Sequence, residues 1–325
     1  MVASENLAGG EPARQEQKTH KAGRFAPSPT GDLHLGNLRT AILAEAWARA
    51  TGRRFLLRVE DLDRVRSGST ERQLEQLTAL GITWDEEPLI QSTRGQAHDD
   101  VLKRLMDGGY LFECYCSRKD IREASSAPHA IPGHYPGTCL HLSDDEREER
   151  RVFLASQGRV PALRLNAPAA SWQVHDELHG DFEGPVDHVV LRRNDGAIAY
   201  NLAVVVDDAF QGVDQVVRGD DLLMQSPAQS CLASLLGYAE PVYVHVPLAI
   251  NANGARLAKR DGAVTLPDLE DLGYGTTDVV RWISNSLGVL SGPPPENTKD
   301  LLALLDEKTL RAMPTKPWII EAIHR

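Results

Sequence analysis

The chain has 325 residues, 42% apolar and 25% charged, with a net charge of −11; this suits one large or two medium globular domains and excludes a fibrous or low-complexity protein. No run approaches the ~18 apolar residues of a membrane span, and Met1 to Lys21 lacks the apolar centre of a signal peptide, so a cytoplasmic protein with a loose tail over 1–22 and no membrane partner is expected. The acid excess argues against a nucleic-acid coat, yet an acidic protein can still hold an RNA on a local basic patch.

The first informative stretch is Gly23 to Asn37, Gly-Arg-Phe-Ala-Pro-Ser-Pro-Thr-Gly-Asp-Leu-His-Leu-Gly-Asn, which turns a short strand into a helix. Leu35, Leu38, Ile42 and Ala46 then recur at helical spacing until Gly52 stops the helix. Such a helix directs unpaired N–H groups and its positive dipole end at whatever lies above the strand, as a nucleotide site requires. His34 and Gly36 sit in its first turn, the glycine leaving room for a flat ring or a phosphate. Next, Arg54 to Glu60 has the near-continuous apolar run of a parallel strand buried on both faces, and Glu60, Asp61 and Asp63 cluster at its carboxyl end, where ligands of open parallel sheets bind. Thr70 and Gln73 read as a capping box for a helix carrying Leu74, Leu77 and Leu80 and ended by Gly81. Strand and helix in alternation predict a doubly wound, parallel-sheet α/β (Rossmann-like) domain.

From Cys114 to about Asp187 the texture changes to Cys-x-Cys, Pro/Gly/His-rich turns, a charged helix over Ser143 to Gln157 and short alternating segments, which reads as an inserted module. Cys114, Cys116 and Cys139 offer three thiolates, and a structural zinc takes four tetrahedral ligands, so one zinc ion is expected here. Chemistry alone leaves His134, Tyr135 and His141 open as the fourth ligand. Cys231 stands alone on a helix and reads as a core residue. The sheet pattern resumes at Val189 to Arg192, turns at Asn194-Asp195-Gly196, and continues through a helix with Leu202, Val205, Val206 and Ala209 into the strand Val213 to Arg218. Ser226-Pro227-Ala228-Gln229 reads as an N-cap, a first-turn proline and a capping glutamine. A strand-like Pro241 to Ile250 feeds a tight turn and a basic loop with Arg256, Lys259 and Arg260. Beyond Asp268 the chain reads as short helices interrupted at Pro293-Pro294-Pro295.

The stretch around His34 resembles the His-Ile-Gly-His signature of class I aminoacyl-tRNA synthetases, and its Arg-Phe-Ala-Pro-Ser-Pro-Thr-Gly lead-in resembles their glutamyl branch. Tyr200 to Asp208 and Val217 to Leu222 resemble that branch's glutamate-pocket segments, and the basic loop resembles the Lys-Met-Ser-Lys-Ser motif, with Lys259 at its second lysine and Arg256 and Ala258 at the first lysine and the serine. The resemblance spans roughly Gly23 to Leu290. It implies ATP-dependent activation of L-glutamate, with His34 and Lys259 catalytic, ATP contacted by Pro27, His34, Gly36, Asn37, Arg256, Leu257 and Lys259, and Mg²⁺ accompanying the nucleotide. The implied glutamate pocket comprises Arg24, Phe25, Ala26, Pro27, Ser28, Glu60, Tyr200 and Arg218. A dicarboxylate bearing one ammonium needs guanidinium forks and a carboxylate, which suggests Arg24 for the γ-carboxylate and Glu60 for the α-ammonium, with Tyr200 and Arg218 closing the other side. The resemblance also favours Tyr135 as the fourth zinc ligand, because related enzymes follow Cys-x-Cys with Tyr-x-x-x-Cys.

The expected layout is a catalytic domain over 23–113 and 188–260, the zinc module over 114–187 and a helical stem-contact region over 261–325. Only those last residues follow the lysine loop, where a full glutamyl enzyme carries a helical anticodon-binding region. The chain therefore looks like the shortened paralogue, which is implied to place glutamate on the queuosine base at the wobble position of tRNA(Asp), gripping the anticodon loop as a monomer. Alternatives are a truncated conventional glutamyl enzyme, transfer to another acceptor, and a non-catalytic RNA-binding relative.

Overall fold

The computed structural model describes residues 21–117, 119–121, 135–255, 257, 264–288 and 291–321. Its main sheet runs, in spatial order, Leu89–Ile90 (β3), Arg54–Val59 (β2), Ala22–Phe25 (β1), Val213–Gly219 (β9), Val242–Val246 (β10), Ser171–Asp176 (β6) and Gly180–Pro185 (β7). Every neighbouring pair is parallel except β6 with β7, which form an antiparallel hairpin at the edge. The apolar run of β2 explains its place inside the sheet: Phe55, Leu56, Leu57 and Val59 are all buried, as a strand covered on both faces must be. Helix α1 (Leu35–Ala50) lies against β1 and β9. A Cβ added to Gly23 would come 3.0 Å from Ala48 Cβ, so the missing side chain sets how closely α1 approaches the sheet. Buried Arg39 then ties α1 to the far elements, donating through Nε to Ser286 Oγ at 2.9 Å and through Nη1 to the Pro247 carbonyl at 2.7 Å.

The stretch 114–187, expected as one module, is divided between two sheets. Leu111–Cys114 (β4), Ala162–Leu165 (β5) and Val190–Arg192 (β8) form a separate antiparallel sheet, flanked by α4 (Asp144–Ser156), whose Ser143 and Glu146 make a capping box. The β6–β7 hairpin instead extends the main sheet, with Asp176 paired to Tyr243. Val174 and Asp176 are buried on the strand's inward face, and Val174 shares a core with Val216 and Tyr243; burying that alternate face is what draws the hairpin onto the sheet.

The chain then follows α5 (Tyr200–Gln211) and α6 (Ser226–Leu235), and after β10 a short strand β11 (Ala249–Asn251). Beyond come α7 (Leu266–Asp271), α8 (Thr276–Leu287), α9 (Thr298–Leu304), α10 (Glu307–Arg311) and β12 (Trp318–Ile320). The last is a strand where only helices were expected; it pairs with β11 in parallel from Ala249 to Asn251. Val279, Ile283, Leu287, Leu301 and Leu310 pack with Trp47 and Leu43 of α1, so these helices complete the core of the catalytic domain. No described helix is long and apolar enough to cross a membrane. Of the expected tail, residues 1–20 lie outside the described residues, while Ala22 is already fully buried in β1.

Candidate active site

At the carboxyl ends of β1, β2 and β9 opens a crevice of about 1310 Å³, larger than a single small-molecule pocket and suited to two ligands side by side. Every described residue proposed for ATP or glutamate lines it: Arg24, Phe25, Ala26, Pro27, Ser28, His34, Gly36, Asn37, Glu60, Tyr200, Arg218 and Leu257. Arg256 and Lys259 lie outside the described residues.

His34 is the N-cap of α1. Its Nδ1 accepts the Asn37 backbone N–H at 3.3 Å, and its own N–H donates to Asn37 Oδ1 at 3.3 Å. This reciprocal cap explains why an asparagine suits position 37. With Nδ1 accepting, and burial lowering the imidazole pKa, the ring is neutral and carries its proton on Nε2. A donor is thereby held at the crevice wall beside the positive end of α1. Gly36 serves a purpose other than ligand approach: a Cβ there would lie 3.0 Å from the His34 ring and 3.0 Å from Ala249 Cβ, so the glycine admits the histidine and β11.

Around Arg24 and Glu60 the crevice is backed by an ion network. Asp208 accepts from Arg24 Nε and Nη2, both at 3.2 Å, and from Arg58 Nη1 at 2.7 Å, while Arg58 Nη2 donates to Glu60 Oε1 at 3.3 Å. Burial alone would raise the Asp208 carboxyl, but the two guanidiniums hold it below the usual carboxylate range. At Glu60 burial wins over Arg58 and Arg24, so its carboxyl is raised; a ligand ammonium alongside would favour its ionised form. Arg58 was not singled out from the sequence, and Asp208 only as the end of the segment Tyr200 to Asp208; both lie behind the residues that line the crevice. The signal that could have found them is a charged side chain inside an apolar strand and a second aspartate inside an apolar helix.

Arg218 differs from Arg24. Its guanidinium donates to His245 Nε2 at 3.0 Å, Gln229 Oε1 at 2.7 Å, Ser226 Oγ at 2.8 Å, the Leu222 carbonyl at 3.3 Å and Tyr200 Oη at 3.4 Å. Among the described residues no carboxylate lies within ion-pair distance of it.

Two polar pairs read as helix caps belong instead to the site. Helix α2 (Ser69–Ala79) begins after Gly68 with no side-chain cap, and Gln73 donates to the carbonyls of Ser28 at 3.1 Å and Gly31 at 2.7 Å. One turn on, Gln76 accepts from Leu33 N at 2.9 Å and donates to Asp32 Oδ1 at 3.1 Å. Together they clamp the loop that carries His34. Ser226 and Gln229 likewise spend their oxygens on Arg218, and α6 starts with no side-chain cap.

The lysine loop is anchored on both sides of its undescribed part. Asn251 Oδ1 accepts from the N–H groups of Asn253 at 3.0 Å and Ala255 at 2.9 Å, and Leu257 is buried. On the return, Val264 O accepts from Leu35 N at 2.8 Å and Thr265 bridges to His34. The loop's end is therefore hydrogen-bonded to the first residue of α1, next to the His34 cap.

In the small sheet, the ligating atoms of Cys114, Cys116 and Cys139 all lie within 4.8 Å of one another. Cys116 Sγ is 3.5 Å from Cys139 Sγ and 3.9 Å from Tyr135 Oη. Four donors ~2.3 Å from one tetrahedral zinc would sit about 3.8 Å apart, so the set fits such an ion. Tyr135 Oη also accepts the Cys139 N–H at 2.8 Å, and the Tyr115 N–H donates to Cys139 Sγ at 3.4 Å, both favouring anionic donors. Of the alternatives, His141 is exposed and outside the cluster, and His134 lies outside the described residues.

Residues 22–305 match the family of tRNA synthetases class I (E and Q), catalytic domain. The chain is 56% identical over 299 residues to the glutamyl-Q tRNA(Asp) synthetase of Nocardia farcinica, covering 92% of this chain and 93% of that one. It is 43% identical over 311 residues to the protein of the same name from Cutibacterium acnes, covering 94% and 84%. In structure it is similar to a glutamate tRNA ligase from Elizabethkingia meningosepticum, with a TM-score of 0.75 over 93% of this chain and 67% of that one at 24% identity, a likeness of fold.

Proposed function

Because the chain belongs to the class I tRNA synthetases of the E and Q type, we propose that its crevice joins L-glutamate to ATP and passes the glutamyl group to the queuosine base of tRNA(Asp). The observation that carries the amino-acid half is charge. Arg24, Glu60 and Arg218 line the crevice, and Asp208 and Arg58 pair with Arg24 and Glu60 behind it; these three guanidiniums and two carboxylates together carry one positive charge when Glu60 is ionised. Glutamate brings one net negative charge and completes the balance, whereas glutamine would leave a buried cation unpaired. Glu60 takes the α-ammonium, and Arg24, Tyr200 and Arg218 take the side-chain carboxylate.

In the first step the α-carboxylate of glutamate attacks the α-phosphorus of ATP; the new bond is acyl–phosphate, the bond broken is that to the β-phosphate bridge, and pyrophosphate leaves. No protein nucleophile is needed, so positioning and charge stabilisation account for the rate. The His34 Nε2–H and the N-terminus of α1 supply donors to the phosphate oxygens, and Lys259 supplies a cation from the loop anchored at Leu257 and Val264. Mg²⁺ enters with the nucleotide and neutralises charge on its phosphates. Cys114, Cys116, Cys139 and Tyr135 would hold one structural zinc, which would tie β4 to the connection that follows it. In the second step a hydroxyl of the queuosine ring takes the glutamyl group and AMP leaves; the high identity to relatives named for this reaction supports that acceptor.

The test is glutamate-dependent pyrophosphate exchange, first without tRNA, followed by transfer of labelled glutamate to tRNA(Asp) with or without queuosine and with or without the 3′-terminal adenosine. Exchange without tRNA and labelling that follows the queuosine are expected. Labelling that requires the terminal adenosine and ignores the queuosine overturns the acceptor, and no exchange under any condition overturns the activation.

A further inference from the structure

Behind Arg218 runs a buried chain of groups with no part in the scheme so far. His245 of β10 and Asp176 of β6 are both fully buried. Asp176 Oδ2 lies 2.7 Å from His245 Nδ1 and accepts the His245 backbone N–H at 3.0 Å; its Oδ1 accepts the N–H groups of Leu178 and His179, both at 2.9 Å. His245 Nε2 meets Arg218 Nε at 3.0 Å, and Tyr243 stacks on the imidazole at 5.6 Å.

The proton arrangement follows from these partners. A guanidinium can only donate, so Nε2 must carry a lone pair, and the single ring proton sits on Nδ1, donated to Asp176. Burial depresses the His245 pKa to about 4, in keeping with a neutral ring. The carboxylate of Asp176 is thus held one imidazole away from the Arg218 guanidinium. A carboxylate in direct contact, such as Asp208 provides for Arg24, would offset the charge that a substrate carboxylate needs. A neutral acceptor fixes the plane of the fork and leaves the charge available.

We propose that Asp176 and His245 are positioning residues for glutamate specificity, the aspartate fixing the imidazole tautomer and the imidazole orienting Arg218 as an uncompensated cation for the substrate carboxylate. Through Asp176, the edge hairpin β6–β7 reaches the amino-acid pocket without touching the ligand. The inference rests on the crevice being a glutamate-activating site.

Pyrophosphate exchange with glutamate, and separately with glutamine, measures it on the unaltered chain, His245→Leu, His245→Gln and Asp176→Asn. The leucine removes the acceptor for Arg218; the glutamine restores an amide oxygen near the same place, and Asp176 keeps its three backbone donors in both. Expected is a rise in KM for glutamate of about tenfold or more in His245→Leu, with kcat and the KM for ATP within about twofold, and a similar fall in the preference for glutamate over glutamine. His245→Gln recovers most of that loss, and Asp176→Asn shows a smaller rise of the same kind. If His245→Leu fails to fold, Asp176→Asn and His245→Gln carry the comparison. Unchanged KM for glutamate in folded variants, or equal changes for glutamate and ATP, overturns the inference alone. Absence of exchange in the unaltered chain overturns the glutamate reading and the inference with it.

Discussion

Replacing Asp208 with asparagine tests the ion network that joins Arg24, Arg58 and Glu60 beside the crevice. One carboxylate serves two guanidiniums, Arg24 through a two-point fork and Arg58 through its shortest bond, and the side chains of Arg24 and Arg58 are 3% and 0% exposed. Without that charge, and among the described residues, Arg58 keeps Glu60 at 3.3 Å as its ion partner and the neutral Gln211 Oε1 at 3.0 Å, and Arg24 keeps no ion partner. Removing one member of a buried pair costs about 3–5 kcal/mol, because the surviving charge stays buried without compensation. For a domain of this size each kcal/mol lowers Tm by ~2–4 °C, so a drop of roughly 10 °C is expected. Urea unfolding followed by tryptophan fluorescence measures the loss directly. The decisive measurement is the double variant Asp208→Asn/Arg58→Met. It removes a cation together with the anion and is expected to recover about half of the single variant's loss. If Asp208→Asn costs under about 1 kcal/mol, or if Arg58→Met adds to the loss instead of relieving it, the network does not stabilise the pocket as described.

His34→Ala is expected to lower kcat for pyrophosphate exchange by ~10²–10³ with little change in the KM for glutamate, since it removes a donor to developing charge, and to cost ~1 kcal/mol of stability through the lost cap. Gly36→Ala, whose methyl would sit 3.0 Å from the His34 ring, is expected to lower kcat in the same direction; an unchanged kcat means the imidazole has another place to go. Metal analysis of the purified chain is expected to give one zinc, lost in Cys139→Ser and bound more weakly in Tyr135→Phe. Undiminished affinity in Tyr135→Phe moves the fourth ligand elsewhere. For pH, His245 has a folded pKa near 4 against ~6.5 when unfolded, so the unfolded chain binds the extra proton between those values and stability falls as pH drops from 6.5 towards 4. The contribution is up to about 3 kcal/mol, and unfolding free energies at pH 7 and 4.5 should differ less in His245→Gln than in the unaltered chain.

Local pattern carried far in the sequence. The strand–turn–helix around Gly23 to Asn37, the buried run of β2 and the apolar spacing of α5 all express themselves within a few residues, through backbone conformation and apolar periodicity. That the described candidate residues gather at one crevice was legible for the same reason. Each lies at a strand end or in the first turn of a helix, and parallel topology brings those ends together.

What the sequence left undecided was where polar side chains find partners. Gln73, Ser226 and Gln229 stand at helix starts, where local chemistry offers each a free N–H to cap, yet their hydrogen bonds go to Ser28, Gly31 and Arg218. Asp208 meets Arg24 across 184 positions and Arg58 across 150, and Asp176 meets His245 across 69. No periodicity records such separations. They arise because β9 and β10 pair beside β1, and because the β6–β7 hairpin joins their edge, so that charges with little to gain in an extended chain become partners at a buried site. The sequence by itself marked which strand ends come together at the crevice; the tertiary structure decided how the charges there are partnered, giving Arg24 the carboxylate of Asp208 and Arg218 the neutral imidazole of His245.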